Sequence, residues 1–260
     1  MIQKIINANI MNTDLKIVNG MNADYKKYPF FASIQRRGSS TPFCGGSYIG
    51  GKYRIVITAA HCVNSFRNSP RSIQVAFRKS SVSAKGLVYD VKRIRIHPNY
   101  NTRTLDYDIA LVYLRKRPAR SVKTIRLPTG SLARRFIRAG NRVYIIGFGA
   151  KRSGGNLSRI LQFANVKIIN KDNKVENRYP SNELTNRMIL AADYNKWSDP
   201  NDNEDSCQGD SGGPLFDAYK GKWYLVGLTS WGYGCALTGY PGVYTNLYAI
   251  RGWIRRHARV

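Results

Sequence analysis

Carboxylates are what this chain has least of. Fifteen Asp and Glu stand against 42 Lys and Arg in 260 residues, a formal charge of +27. That excess bounds the partners rather than the fold. The few acids are also unevenly placed. Asp193, Asp199, Asp202, Glu204, Asp205, Asp210 and Asp217 share residues 193–217 with one base, Lys196, so this window carries −6 and the remainder +33. Long apolar runs are missing too. No stretch of ~18 apolar residues occurs, so no membrane-spanning helix is expected. Residues 1–16 contain Lys4 and Asp14 and lack the apolar core of about 7–15 residues that a secretory signal needs. The four cysteines show no Cys-x-x-Cys spacing, which speaks against a zinc site. Histidine is rarer still, with three.

What is present suits a folded chain. Hydrophobic residues make up 43% and there are 17 tyrosines, a composition that excludes a disordered protein. The length allows one large or two small cores. Apolar or alternating runs at 30–34, 53–57, 73–77, 87–91, 109–114, 143–147, 163–169 and 223–231 are separated by Gly, Pro, Asn and Ser clusters. Strands at this spacing indicate sandwiches or barrels. The last stretch differs. Leu247, Ile250, Trp253 and Ile254 recur at helical spacing with Arg251, Arg255 and Arg259 on the other face, which predicts a C-terminal amphipathic helix with a solvated basic side.

The most informative ten residues are Asp205-Ser206-Cys207-Gln208-Gly209-Asp210-Ser211-Gly212-Gly213-Pro214. Glycines here permit dihedrals closed to other residues, and a turn of this kind can present one hydroxyl beside bare backbone N–H groups, as acyl transfer requires. Taken alone, these residues equally suit a Gly-rich loop with an incidental serine. A serine nucleophile needs a base, and the base needs an orienting acid. His257 lies among Arg255, Arg256 and Arg259 and reads as a solvated helix residue. His97 precedes Pro98 and reads as a turn residue. His61 is delivered by the β-branched run Ile55-Val56-Ile57-Thr58, followed by two alanines and then by Cys62. Asp108 enters the apolar strand Ile109-Ala110-Leu111-Val112, where a carboxylate must have a partner. Asp106 reads as a solvated loop charge.

The order His61, Asp108, Ser211 is that of chymotrypsin-like proteases rather than of subtilisins or α/β-hydrolases. Further blocks agree in order: Ile17-Val18-Asn19-Gly20, Cys44-Gly45-Gly46-Ser47, Thr58-Ala59-Ala60-His61-Cys62, Asp108-Ile109-Ala110-Leu111, Ser230-Trp231-Gly232 and Pro241-Gly242-Val243-Tyr244. On these residues the chain, over about 17–260, resembles the trypsin-like branch of the chymotrypsin family of serine endopeptidases, and the incidental-serine reading falls away.

The resemblance implies an all-β fold: two packed antiparallel β-barrels with a C-terminal α-helix, the crossover near 118–130 and the cleft between the barrels. It implies His61, Asp108 and Ser211 as catalytic residues, with the backbone N–H groups of Gly209 and Ser211 as the oxyanion hole. Asp205 would floor a pocket for Arg or Lys, lined by Gly232 and Gly242, while Ser230, Trp231 and Gly232 hold the substrate backbone. Residues 1–16 would be an activation peptide, cut after Lys16, so that the Ile17 amine pairs with Asp210. Asn19 departs mildly from the usual Gly. The implied disulfides are Cys44–Cys62 and Cys207–Cys235, the alternative being buried free thiols. Val175 and Leu190 match the ends of a further family disulfide, and packing in its place is expected. Residues 71–89 contain no Asp or Glu, so no metal is expected at that loop, and no cofactor is implied. Expected partners are protein or peptide substrates cut at Arg or Lys, and protease inhibitors. A secreted monomer is expected. The charge adds anionic polymers as partners, and a polyanion-binding homologue with little proteolytic activity is the competing reading. The acidic window would steer cationic segments toward the serine.

Overall fold

Runs of Ile, Val, Phe and Leu too short for helices fold here as strands. A computed structural model describes residues 21–150, 155–193, 209–234 and 237–259. Lys16, Ile17, Asp205, Cys207 and Cys235 lie outside the described residues. A two-residue strand, β1 (Met21–Asn22), precedes β2 (Phe31–Arg36), β3 (Pro42–Gly50), β4 (Ile55–Thr58), β5 (Ile73–Phe77), β6 (Leu87–Ile96) and β7 (Ala110–Leu114). Strands β2 to β7 close an antiparallel barrel in the order β2-β3-β4-β7-β6-β5. The second barrel comprises β8 (Arg142–Gly147), β9 (Gln162–Ile169), β10 (Met188–Ala192), β11 (Pro214–Tyr219), β12 (Lys222–Trp231) and β13 (Gly242–Asn246). It runs β9-β10-β13-β12-β11-β8 and closes through β8–β9 pairing, while β1 adds to β9 with Met21 opposite Phe163. Among the described residues the α-helices are α1 (Ala60–Val63), α2 (Gly130–Phe136) and α3 (Leu247–Ala258).

Strand β4 is buried throughout, apolar at Ile55, Val56 and Ile57, with the Thr58 hydroxyl donating to the Gly45 carbonyl at 2.8 Å. Val56 faces the interior of the first barrel with Ile34, Val75 and Val112, while Ile55 and Ile57 face the seam between barrels with Leu111, Phe216 and Leu228. Helix α3 begins where the Asn246 side chain accepts the N–H groups of Tyr248 (3.1 Å) and Ala249 (3.3 Å). Its buried stripe Leu247, Ile250, Ile254 and Ala258 joins the same seam, and Tyr113 of the first barrel donates to the His257 carbonyl at 3.2 Å. The segment 115–129 passes from one barrel to the other. Ile125 N–H donates to the Tyr48 carbonyl at 2.9 Å and Arg126 N–H to that of Trp223 at 3.1 Å, tying it to both.

Strands β3, β10, β11 and β13 fall outside the runs expected from sequence. For β3 the reason is its composition, Pro42-Phe43-Cys44-Gly45-Gly46. The glycines serve close approach: a Cβ on Gly45 would lie 2.8 Å from the Gly213 Cα, and one on Gly46 would lie 2.9 Å from Val56 Cγ1.

Three smaller expectations are corrected. Asp106 is not a solvated charge; its side chain is 15% exposed and ion-paired to Arg187. His257 is not fully solvated: Arg95 Nη1 sits 2.7 Å from its Nδ1 and its ring meets Trp253 edge-on. Val175 is 62% exposed whereas Leu190 is buried with Ile169, Tyr179 and Val243, so packing between the two does not replace a disulfide.

Candidate active site

Strand β4 delivers Ala59 and Ala60, both fully buried, and α1 then presents His61 with its side chain 25% exposed. The Cys44–Cys62 disulfide ties this helix to β3. Closing a loop of 18 residues removes unfolded-state freedom worth about 3 kcal/mol in the chain-entropy model. The adjoining carboxylate, Asp108, enters β7 with no side-chain exposure. Its Oδ2 lies 2.7 Å from His61 Nδ1 and its Oδ1 accepts the His61 backbone N–H at 2.9 Å. Ser230 Oγ donates to Oδ2 at 2.5 Å, and Thr245 Oγ1 donates to the Asp108 carbonyl at 2.8 Å. A bulge between Thr229 and Trp231 on β12 aims Ser230 this way. Three donors on one carboxylate offset its desolvation. With its Nδ1 proton committed to Asp108, a neutral His61 keeps a lone pair at Nε2. Burial first, then the charge of Asp108, pushes the Tyr100 phenol up to about 12.

The turn bearing Ser211 is pinned from both barrels. Gly45 N–H of β3 donates to the Ser211 carbonyl at 2.8 Å, and Gly212 N–H donates to that of Thr229 on β12 at 2.8 Å. Gly212 has φ of +73°, and a Cβ there would lie 2.1 Å from Thr58 Oγ1 and 3.0 Å from Ala59 N. The serine turn therefore abuts the residues immediately before His61.

The same sequence relationship extends to known proteins. The family model described as Trypsin matches residues 17–254. Trypsin alpha of Drosophila erecta is 37% identical over 245 residues, covering 93% of this chain and 87% of that protein. A vitellin-degrading protease of Bombyx mori is 35% identical over 241 residues, 93% of this chain and 85% of its own length. A trypsin of Phaedon cochleariae is 35% identical over 252 residues, 96% and 91% respectively. The chain belongs to the trypsin family. It is a serine endopeptidase, and proteins are its substrates.

In this trypsin-family protein Asp210 is buried, and its Oδ1 accepts the Gly149 N–H at 2.8 Å. Neither Gly147 nor Gly149 has room for a Cβ, which would fall 1.9 and 2.1 Å from the carboxylate oxygens. Gly209 adopts φ of +98° beside Leu157. Trp231 packs edge-on against Tyr179 at 5.1 Å. A Cβ on Gly232 would stand 3.6 Å from the Tyr179 hydroxyl and 3.9 Å from the Gly242 Cα, so the two glycines face each other beside Tyr179. Among the described residues no helix is long and apolar enough to cross a membrane.

Sequence reasoning missed a second set of residues. Asp106 receives Arg187 Nε at 3.1 Å, Arg187 Nη2 at 2.5 Å and Thr185 Oγ1 at 2.9 Å, all from the second barrel. Leu105 and Tyr107 on either side of it have φ of 52° and 54°. Tyr107 stacks on His97 at 4.4 Å and lies under the Arg187 guanidinium at 5.0 Å. Nothing local announces this strap, because its halves are 81 residues apart. The link from Ser230 to Asp108 was missed for the same reason.

Proposed function

We propose that this trypsin-family endopeptidase cuts after Arg or Lys, with Ser211 as nucleophile, His61 as base and Asp108 as orienting acid. The roles follow the general scheme of chymotrypsin-type triads. Ser211 attacks the scissile carbonyl while His61 takes its proton. The ester then formed on Ser211 is hydrolysed by water, with His61 first giving its proton to the leaving amine and then accepting one from the water. Asp108 keeps the imidazole in the tautomer that leaves Nε2 free to act and stabilises the imidazolium. The N–H groups of Gly209 and Ser211 stabilise the oxyanion, where losing one donor costs about 3–4 kcal/mol in comparable enzymes.

The observation that carries this reading is the 2.7 Å His61–Asp108 contact with the Ser211 turn against Thr58 and Ala59. Gly232 and Gly242, which add no side chains of their own beside Tyr179, favour a long substrate side chain, with Asp205 as its counter-charge and the segment Ser230–Gly232 holding the substrate main chain. Cleavage after Lys16 would free the Ile17 amine to pair with Asp210, whose burial makes a cationic partner valuable. The Cys44–Cys62 bridge fits an oxidising, extracellular setting, and Cys207–Cys235 is the second bridge of the same reading. An inactive polyanion-binding homologue fits less well, since nothing in the His61–Asp108 pair is altered.

Three measurements test this. A serine-directed organophosphate should label Ser211 once the chain is cut at Lys16, and an adduct elsewhere would refute the triad. A peptide panel should favour Arg and Lys, and faster cleavage after Phe or Leu would refute the pocket. Equal activity before and after cleavage at Lys16 would remove the zymogen step.

A further inference from the structure

Away from the catalytic cleft, two cavities meet on the outer face of the first barrel. One of about 520 Å³ is lined by Arg67, Arg93, Arg95 and His257, with His97 and Trp253 behind them. The other, about 350 Å³, is lined by Lys52, Arg54, Lys92 and Arg93. Arg93 belongs to both, so the cavities form one track. Among the described residues its walls contain no carboxylate. The one acid on β6, Asp90, is ion-paired to Arg37 at 3.1 Å. The sequence Lys92-Arg93-Ile94-Arg95 explains the placement. Ile94 turns into the barrel core, alternation sends Arg93 and Arg95 outward, and a bulge between Val91 and Arg93 adds Lys92.

Three of the cations are already held, among them Arg54, whose Nη1 donates to the Arg115 carbonyl at 3.0 Å. The Arg93 guanidinium lies 4.0 Å over the Tyr113 ring, and Arg95 Nη1 sits 2.7 Å from His257 Nδ1. Preordered guanidinium groups lose less freedom on binding and meet sulfate oxygens with a matching fork. Six like charges along one track repel each other, and a bound polyanion relieves that repulsion. We propose that this track binds a linear sulfated polysaccharide.

Single-stranded nucleic acid fits less well, because it needs open aromatic faces for its bases. Here Tyr113 lies under Arg93, Tyr53 lies within 6.0 Å of both Lys52 and Arg259, and Trp253 packs on His97 and His257. The inner wall, His97 and Tyr100, backs onto the loop of Asp106 and Asp108, yet the binding itself needs no catalysis.

The test uses the full chain carrying Ser211→Ala, which removes self-digestion, with a fluorescent heparin fragment titrated over a range of salt. Arg93→Gln/Arg95→Gln should weaken binding by about tenfold or more and lower the salt slope by about one per cation removed. Lys52→Gln/Lys92→Gln, at two exposed side chains, should do the same without disturbing packed residues. The control Arg138→Gln/Arg142→Gln removes equal charge from exposed sites on the second barrel and should leave affinity within about twofold. Equal losses in the control and both track variants would overturn the proposal in favour of diffuse charge. Absence of heparin binding would overturn it as well. Tighter binding of a single-stranded oligonucleotide of matched charge would overturn the choice of ligand.

Discussion

Asp106→Ala is the substitution that asks most of this structure, because the strap it breaks lies two residues from Asp108, the carboxylate paired with His61. Asp106 is 15% exposed and Arg187 is 31% exposed, so the pair is neither fully buried nor a free surface bridge. Removing one partner of a buried pair costs about 3–5 kcal/mol, whereas an exposed pair is worth about 1 or less. The intermediate burial places this loss at about 2 kcal/mol. Leu105 and Tyr107 sit in left-handed geometry on either side, each holding roughly 1 kcal/mol or more of strain that the strap opposes. In a domain of this size 1 kcal/mol is about 2–4 °C, so Asp106→Ala should lower Tm by about 4–8 °C. Calorimetry in a Ser211→Ala background keeps the chain from digesting itself. In the active background kcat should fall by about tenfold with KM nearly constant, since the change reaches Asp108 and not the pocket. The Asp106→Asn variant separates charge from shape. Burial would raise the Asp106 pKa, but hydrogen bonds from Arg187 and Thr185 and the charge of Arg187 together hold it below the ordinary value. A carboxyl lowered on folding contributes stability in full above its unfolded pKa, and that contribution is lost as pH falls through the folded value. Asp106→Asn should therefore be weaker at neutral pH and approach the parent below about pH 4. Unchanged Tm and kcat in Asp106→Ala would refute the strap.

Gly212→Ala should nearly abolish activity, because φ of +73° and the 2.1 Å approach to Thr58 Oγ1 leave no place for a methyl; steady-state rates near those of the parent would contradict the turn geometry. Ser230→Ala removes one of three donors to Asp108 and should lower kcat by about tenfold, a loss of about 1.5 kcal/mol; an unaltered rate would show that the contact does not orient Asp108. Lys79 Nζ donates to the carbonyls of Ser40 and Val82, and burial lowers its pKa to about 8. A lysine lowered on folding binds fewer protons than in the unfolded chain between about pH 8 and 10.5, so the parent should gain stability over that window relative to Lys79→Met. Parallel melting curves for the two across that range would refute it, and a chelator should leave both unchanged.

Much of the site was legible because its signals are local. The run Ile55–Thr58 marks a strand, two alanines mark a tight space, and the glycines around Ser211 mark a turn with unusual dihedrals. The order of His61, Asp108 and Ser211, with the other matched blocks, carried the resemblance to the chymotrypsin family, and that resemblance implied two barrels. The rest depends on distant partners. Strand β3 reads as a loop until Gly213 is placed against Gly45, which is when glycine in a strand makes sense. Asp106 looks like any loop carboxylate until Arg187 arrives from the other barrel. Val175 shows the opposite error, an apolar residue that nothing covers. His257 was judged from its neighbours in sequence, but its environment is set by Arg95 on a different element.

Asp108 takes donors from His61 in the first-made half and from Ser230 and Thr245 in the last-made half. A chain still leaving the ribosome lacks the second group, and helix α3, synthesised last, has yet to cover the earlier barrel. The surroundings of Asp108 are thus complete only once the two halves have docked. A molecule whose halves separate under stress should stop cutting before its strands unravel.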